Sequence, residues 1–323
     1  MERKQFLKYF RFYITPFWRE PEFSLREFEE AKIKSKRRQF SMFLYPLTIS
    51  GFLIIIFIGI LAVFPQWITE FSLREVTGPA GWTLPFQRPG WIVNPVDGTI
   101  TYHFLGTTMN GYDIFGRLIW GARTALTMGI QSNLISVTGG VILGLIVAYF
   151  GGKTDWVVMR ILDVIQTIPN FIFALFLISL VGSEMSYILM IYGILGIPGY
   201  CRFIRASVFQ VKQNIFIRAA KTGGANDFKI MFKHVLPNAI SPIIIIFFGS
   251  LGGTILGIAS LTYIGMGDIK ISDWGTDINW AQARFLSAPW AALWPGLLIA
   301  LTVLAFMLIG DGLRDALDPR LRK

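Results

Sequence analysis

Six apolar runs decide what this chain can fold into. They are approximately Met42–Phe64, Ala125–Phe150, Val157–Val181, Tyr187–Ile204, Ala239–Tyr263 and Ala291–Ile309. A helix rises about 1.5 Å per residue, so roughly 20 mostly apolar residues cross the ~30 Å hydrocarbon layer. Inside lipid each backbone N–H and C=O needs a partner within the structure, which a helix supplies along its own length. The expected fold is therefore all-α, with six transmembrane helices. The fourth run is the least regular, because Gly193, Gly196, Pro198 and Gly199 interrupt it. Neighbouring helices can satisfy the backbone groups that such residues free, so it reads as a kinked interior helix. Composition agrees: only 15% of residues are charged and mean hydropathy is +0.54, against about 25% charged in soluble domains. The first 40 residues are charged, with no short apolar core leading to a cleavage site. The first run thus reads as a retained anchor rather than a cleaved signal.

Lysine and arginine set the orientation, because they concentrate on the cytoplasmic side. With the N-terminus inside, segments 1–41, 151–160, 202–234 and 311–323 are internal and hold 11, 2, 7 and 4 of these residues, 24 of the 30. Arg74, Arg88, Arg117, Arg123, Lys270 and Arg284 remain outside. Both termini are expected in the cytoplasm. The division is then a cytoplasmic segment 1–41, a first membrane helix 42–64, an extracellular loop 65–122, a five-helix core 123–310 with a cytoplasmic loop 205–238, and a cytoplasmic tail 311–323. The net charge of +10 follows from this asymmetry, so no nucleic-acid partner is implied. "KIKSKRRQF", Lys32 to Phe40, reads as a juxtamembrane anchor on anionic headgroups of the lipid bilayer.

The stretch "AYFGGKTDW", Ala148 to Trp156, contains the Gly-Lys-Thr that ends a phosphate-binding P-loop. The full pattern requires a glycine five positions before Gly152, and that residue is Val147. A P-loop also follows a buried strand, whereas this one follows an apolar run long enough to span. It reads as a polar turn between helices, and no ATP site is assigned to this chain. Cys201 is the only cysteine, so no disulfide forms within the chain, and His103 and His234 lie far apart, so no metal site is assigned.

Small residues recur at four-residue spacing at Gly249, Gly253 and Gly257 and at Gly140, Gly144 and Ala148; such faces let helices approach closely. Arg160 and Asp163 share a helix face and are expected to pair. The first outer loop carries Pro65, Pro79, Pro85, Pro89 and Pro95 with Trp67, Trp82 and Trp91, which argues against a continuous helix and for interface residues. The second, Ile264 to Trp290, contains "DIKISDWGTDINW". Its Asp268, Asp273, Trp274 and Asp277 are expected to form an outer gate or a receptor contact, or else a connector held at the interface by Trp274 and Trp290.

The segment "NIFIRAAKTGGANDFKIMFKHVLPNAISP", Asn214 to Pro242, is the most informative. Arg218, Ala219 and Ala220 lie in a short helical stretch that Gly223 and Gly224 end. Asn226 suits an N-cap and Asp227 the positive end of the next helix. Phe228, Met231, Phe232 and Val235 form a one-sided apolar stripe, and Pro237, after Leu236, breaks the chain before the next span. The result is a helix–glycine–helix knob projecting into the cytoplasm.

This segment resembles the E-A-A-x-x-x-G…L-P signature of permease subunits in binding-protein-dependent ABC importers. Ala219, Ala220, Gly224, Leu236 and Pro237 match, and Arg218 stands where the family usually has glutamate. "FLGTTMNGYDIFGRLIWGARTAL" is similar to the G-T-D-x-x-G-R-D-x-x-S-R-x-x-x-G-A-R segment of dipeptide and oligopeptide permeases: Gly106, Thr107, Gly111, Asp113, Arg117, Gly121 and Arg123 match, Thr108 and Tyr112 depart. "GGKTDWVVMRILDVIQTIP" and the closing "APWAALWPGLLIALTVLAFMLIGDGLRDALDPRLR" resemble the second of the two permeases in peptide importers. The resemblance implies a type I permease fold in the bacterial plasma membrane, and it makes the knob a coupling helix. The implied partners are a homologous permease, two cytoplasmic ATPase subunits that hold ATP and Mg, an extracellular peptide-binding protein and a peptide substrate. The chain itself would bind no cofactor and catalyse no reaction. The alternatives are a secondary transporter, a non-transporting scaffold, or a relative that carries a non-peptide cargo such as nickel complexes.

Overall fold

The computed structural model describes residues 45–78, 83–95 and 98–317. The segment 1–41 with its basic anchor, the start of the first run, Trp82 and the last residues of the tail lie outside them. Among the described residues five helices are long and apolar enough to cross a membrane: α1 (Pro46–Val63), α4 (Ile114–Phe150), α7 (Met185–Lys212), α11 (Ser241–Leu261, with a π turn to Met266) and α13 (Trp290–Leu317). A bent pair, α5 (Gly152–Ile165) and α6 (Asn170–Val181), passes the same length and apolarity test when its two halves are taken together, which gives up to six candidate spans.

That pair corrects the reading of Val157–Val181 as one continuous helix: its halves are bent by 77°. The cause is in the sequence, since Pro169 has no N–H to donate and pushes its predecessor out of helical geometry. The fourth run does the reverse. It is a single helix of 28 residues that passes through Pro198. Its glycines accept a neighbour: a Cβ at Gly193 would lie 2.8 Å from Cβ of Ile135, and one at Gly196 2.8 Å from Cβ of Ser136. From the α4 side, a Cβ at Gly140 would fall 2.9 Å from the Cys201 nitrogen, and one at Gly144 2.5 Å from its carbonyl oxygen. The α4–α7 seam therefore brings two backbones close through small residues on both helices, as the 140/144/148 spacing predicts. The 249/253/257 spacing does not act as one face: a Cβ at Gly253 meets nothing within 4 Å, while one at Gly257 would meet the Tyr192 ring. The close approach of α11 to α13 runs instead through Gly252, against the Val303 backbone at 3.0 Å, and through Gly310 against Gly249 at 2.9 Å.

Asp163 does not pair with Arg160. It meets Arg202 of α7 at 2.6 Å, and Arg205 grips Asp155 with two bonds of 2.6 and 2.7 Å. Both pairs tie α5 to α7. "GGKT" opens a helix but follows another: Gly151, at φ 66°, separates α4 from α5.

At one end of the bundle, the hairpin end, the loop after α1 forms α2 (Pro65–Ile68), α3 (Leu73–Thr77, with a Ser72/Glu75 capping box) and an antiparallel hairpin. Its strands, β1 (Gly90–Val93) and β2 (Ile100–His103), pair Gly90 with His103 and Val93 with Ile100. This hairpin is the departure from an all-α fold. The opposite end carries the segment between α7 and α11 and is termed the knob end.

Candidate functional site

The knob consists of α8 (Ile215–Thr222), a glycine turn, α9 (Asp227–Lys229), a π-helical stretch Ile230–Val235 and α10 (Leu236–Ala239). Gly223 closes α8, and Gly224 has φ +79°, a left-handed conformation in which a Cβ is strained. The Asn226 side chain caps α9 by accepting from the Lys229 N–H at 2.8 Å. The predicted one-sided stripe divides. Met231 and Val235 point inward with Ile217 and Ile230, while Phe228 and Phe232 point out, ring centres 4.5 Å apart. The π stretch explains the split, because it carries more residues per turn than the 3.6 assumed from the sequence. Pro237 does not break the chain; it sits in the first turn of α10, where no N–H is needed, and the break comes at Ile240.

The inward side of the knob belongs to the bundle core. Ile217, Ile230, Met231 and Val235 pack in one cluster with Leu145 and Tyr149 of α4 and Ile204 and Val208 of α7. The Tyr149 hydroxyl donates to Asp227 at 2.6 Å, and Lys212 donates to the Tyr149 carbonyl. On the outward side Arg218, Ala219, Gly223, Gly224, Asn226 and Pro237 are exposed, and Ala220 and Leu236 are half-buried. They are joined by Ile215, 83% exposed, and Phe228, 69% exposed. Large apolar side chains left in water on a small projection mark an interaction face.

Midway along the bundle lies a cavity of about 380 Å³ between α4, α7, α11 and the α5–α6 break. Its wall includes Asn133 and Ser136 of α4, Tyr200 of α7, Ser250 of α11, and Gln166 and Asn170 at the break. The Tyr200 hydroxyl donates to Asn133 Oδ1 at 2.9 Å and lies 2.6 Å from Ser250 Oγ; Asn133 Nδ2 donates to the Phe247 carbonyl at 2.9 Å. The wall contains neutral hydrogen-bonding groups and no Asp, Glu, Lys, Arg or His. The sequence reading missed this cavity. Its signals were Asn133 inside an apolar run and the proline that breaks the third span, since irregular backbone at membrane depth is tolerated where it lines a cavity.

At the hairpin end the structure reassigns the residues expected at a gate or receptor contact. Asp273, Trp274 and Asp277 are buried, and only Asp268 keeps partial exposure. In this chain the three offer no surface to a receptor, and Trp274 is no interface anchor. Asp273 caps α12 (Trp274–Ala281) by accepting from the Thr276 N–H at 2.9 Å. The Trp274 indole donates to the Leu118 carbonyl at 3.0 Å and fills the notch left by Gly121. Asp277 accepts from the fully buried Arg117 at 2.5 Å; Arg117 also donates to the Val76 carbonyl and lies 4.7 Å from the Trp280 ring centre. Burial outweighs the pull of Arg117 and raises the Asp277 carboxyl to about 6. Beside it, buried His103 meets Asp113, the N-cap of α4, at 2.7 Å. This ionic clasp joins α3, α4 and α12.

Membrane-crossing helices around a largely apolar cavity with a few hydrogen-bonding groups, with a knob fused to two of the cavity helices, fit a membrane transport subunit. Residues 140–323 match the family described as "Binding-protein-dependent transport system inner membrane component", and the chain belongs to that family. It is 39% identical over 227 residues to the glutathione transport system permease protein GsiD of Pectobacterium atrosepticum, covering 70% of this chain and 75% of that one. To the dipeptide transport system permease protein DppC of Alkalihalophilus pseudofirmus it is 34% identical over 277 residues, 85% of this chain and 86% of the other. GsiD of Escherichia coli O6:K15:H31 is 33% identical over 277 residues, 85% and 87% of the two chains. The family resemblance read from the sequence is thus borne out. The chain is a multi-pass inner-membrane permease, and the secondary-transporter and scaffold readings fall away.

Proposed function

We propose that this chain is one of two pore-forming permeases in an ATP-driven importer of short peptides, and that its knob receives the push of a cytoplasmic ATPase. The peptide cargo follows from the relatives' named substrates, glutathione and dipeptides. The knob end faces the cytoplasm, with both termini, in keeping with the distribution of Lys and Arg. ATP and Mg reside on two partner ATPase subunits. An extracellular binding protein delivers cargo at the hairpin end, and the clasp of Arg117, Asp273, Trp274 and Asp277 holds the outer mouth from within the fold.

One observation carries the coupling: the knob's inward face and the cavity helices α4 and α7 share one apolar core. Coupling between sites needs an element whose two states both sites bias. A load on Phe228 passes through Ile230 and Val235, and one on Ile215 through Ile217 of the same helix, into α4 and α7. A Cβ at Gly224 meets nothing in this chain, so the substitution acts on the left-handed turn and on whatever docks there. Gly224→Asp therefore leaves the chain inserted at normal abundance, yet reduces ATPase co-purification and peptide uptake. Asparagine, which shares aspartate's tolerance of this conformation but not its charge, retains more of both. Unchanged association and uptake in Gly224→Asp would remove the knob as the coupling element.

A further inference from the structure

The β1–β2 hairpin is apolar on both faces. Directly paired residues share a side, and the register sets Trp91 against Tyr102 and Val93 against Ile100. All four are exposed, Trp91 by 73%. Phe104 continues the row: ring centres lie 5.1 Å apart from Trp91 to Tyr102, 5.1 Å from Tyr102 to Phe104 and 5.7 Å from Phe104 to Phe115. The other face carries Ile92 and His103 into the fold, where both are buried. An antiparallel pair with one side on a core ordinarily shows polar side chains to water on the other. Two aromatic and two branched apolar residues there mark a contact surface. They also belong to a two-stranded element, which is marginal by itself in water.

The hairpin's place in the fold says what covers it. The outer face forms one wall of a cleft of about 390 Å³, and Ile68–Phe71 form the other. Ile68 stands five residues beyond Val63, the last residue of α1. At about 1.5 Å per helical residue that is roughly 8 Å. The headgroup layers take the bilayer from ~30 Å of hydrocarbon to ~40–45 Å overall, so the cleft opens at their level. Helix α1 is the least covered of the five spans and stands at the rim of the bundle. Exposed apolar side chains follow one another along it, Phe57, Ile60 and Val63, then Phe64 and Trp67 with rings 5.6 Å apart, and then the cleft begins. Tryptophan and tyrosine, each an apolar ring with a polar edge, concentrate in this layer. Charge is sparse. Among the described residues only Glu70 and Asp113 bring charge to the cleft walls, and Asp113 is engaged by His103 and the Gly116 N–H.

We propose that the outer face of the hairpin, together with Trp67, is seated in the headgroup and glycerol layer of the bilayer, as a foot that braces the hairpin end against the lipid surface. The leaflet is the outer one on the orientation proposed above; the contact itself does not depend on that orientation. The foot bears on the clasp directly, because β2 ends at His103, whose ring meets Asp113 at the N-terminus of α4.

The test uses the assembled importer in phosphatidylcholine nanodiscs, with and without a fraction of lipid brominated near the glycerol end of its acyl chains. A bimane label is carried by Val93→Cys or Ile100→Cys. The importer without the added cysteine, whose Cys201 is buried, gives the blank. The emission of both labels shifts to the blue and loses intensity to the brominated lipid, and it does so at low and high salt alike, because an apolar seat is not screened. In Trp91→Ser/Tyr102→Ser the label on Ile100→Cys returns to water: the blue shift and the quenching are lost. Labels that stay in water and are not quenched overturn the proposal. Quenching that survives the loss of both rings overturns their role as the seat. Labels shielded from water and from brominated lipid in the assembled importer assign the face to the partner permease instead. Labels that become shielded only when the extracellular binding protein is added assign it to that protein, and either outcome overturns the lipid seat.

Discussion

Gly144→Ala should open the seam on which the bundle depends. In a helix interior alanine is favoured over glycine by about 1 kcal/mol, so the substitution stabilises wherever space allows. At Gly144 it does not. The new Cβ would sit 2.5 Å from the Cys201 carbonyl oxygen and closer still to Cγ2 of Ile204. The first is backbone; the second is the branch methyl of a side chain that is stiff at χ1 in a helix. Neither can step aside, so α4 and α7 must separate. Overpacking of this kind costs about 1–3 kcal/mol, which cancels or exceeds the propensity gain and leaves a net loss of up to ~2 kcal/mol. Separation also stretches the bond from Ser136 Oγ to the Gly193 carbonyl, now 2.7 Å. Cys201, fully buried at the seam, is a built-in reporter. Gly144→Ala should melt below wild type in detergent and let maleimide reach Cys201 faster. Gly59→Ala is the control, because a Cβ there meets nothing within 4 Å, and it should melt at or above wild type. If Gly144→Ala is as stable as Gly59→Ala and Cys201 stays protected, the close-packed seam is wrong.

Trp274→Ala empties a fully buried site and should cost about 3–5 kcal/mol, seen as loss of membrane abundance; normal abundance with an unchanged melting point would refute its place in the hairpin-end core. Asp277 gives a pH signature: its native carboxyl is raised to about 6, while an unfolded aspartate titrates near ~3.9. Between those values the native state keeps a proton that the unfolded state has lost, so stability falls as pH rises through this window and levels off above it. Melting curves across that range should show the slope in wild type and lack it in Asp277→Asn; an identical slope in both would exclude this carboxyl as its source. Arg205→Gln should free one end of α5 from α7 by removing the two-bonded contact with Asp155, raising protease sensitivity in the Gly151–Ile165 region without unfolding the bundle.

The spans were legible because bilayer thickness sets a length that an apolar run either meets or does not. Their ends and joints were less so. Pro169 was visible, yet apolar residues on both sides masked the bend, while Pro198 looked disruptive and is absorbed in a continuous helix packed through Gly193 and Gly196. A glycine does not declare whether it ends a helix or admits a neighbour; that depends on Ser136 and Ile135, more than fifty residues away in the chain. The knob's helix–glycine–helix form was legible, but a π stretch changed which aromatic rings face out. The burial of Asp273 and Asp277 was hidden for a related reason. Polar residues in a loop read as surface until their partners, here Arg117 and the α12 backbone, are known.

Helix α4 joins these parts into one mechanism. At 37 residues it is about 55 Å long, far more than the ~30 Å of hydrocarbon requires. The surplus is not spare. Its first turns carry Asp113 and Arg117 into the ionic clasp, its middle carries Asn133 and Ser136 into the cavity wall, and its last turns carry Leu145 and Tyr149 into the knob core. No proline interrupts it, and it stays helical through the Gly139–Gly140 pair, which packs against Ile197 and Tyr200 of α7. A displacement imposed on the knob therefore reaches the cavity and the clasp as motion of one rod. The third span, broken at Pro169 and held to α7 through Asp155 and Asp163, is the element able to change its angle beside the cavity while that rod moves.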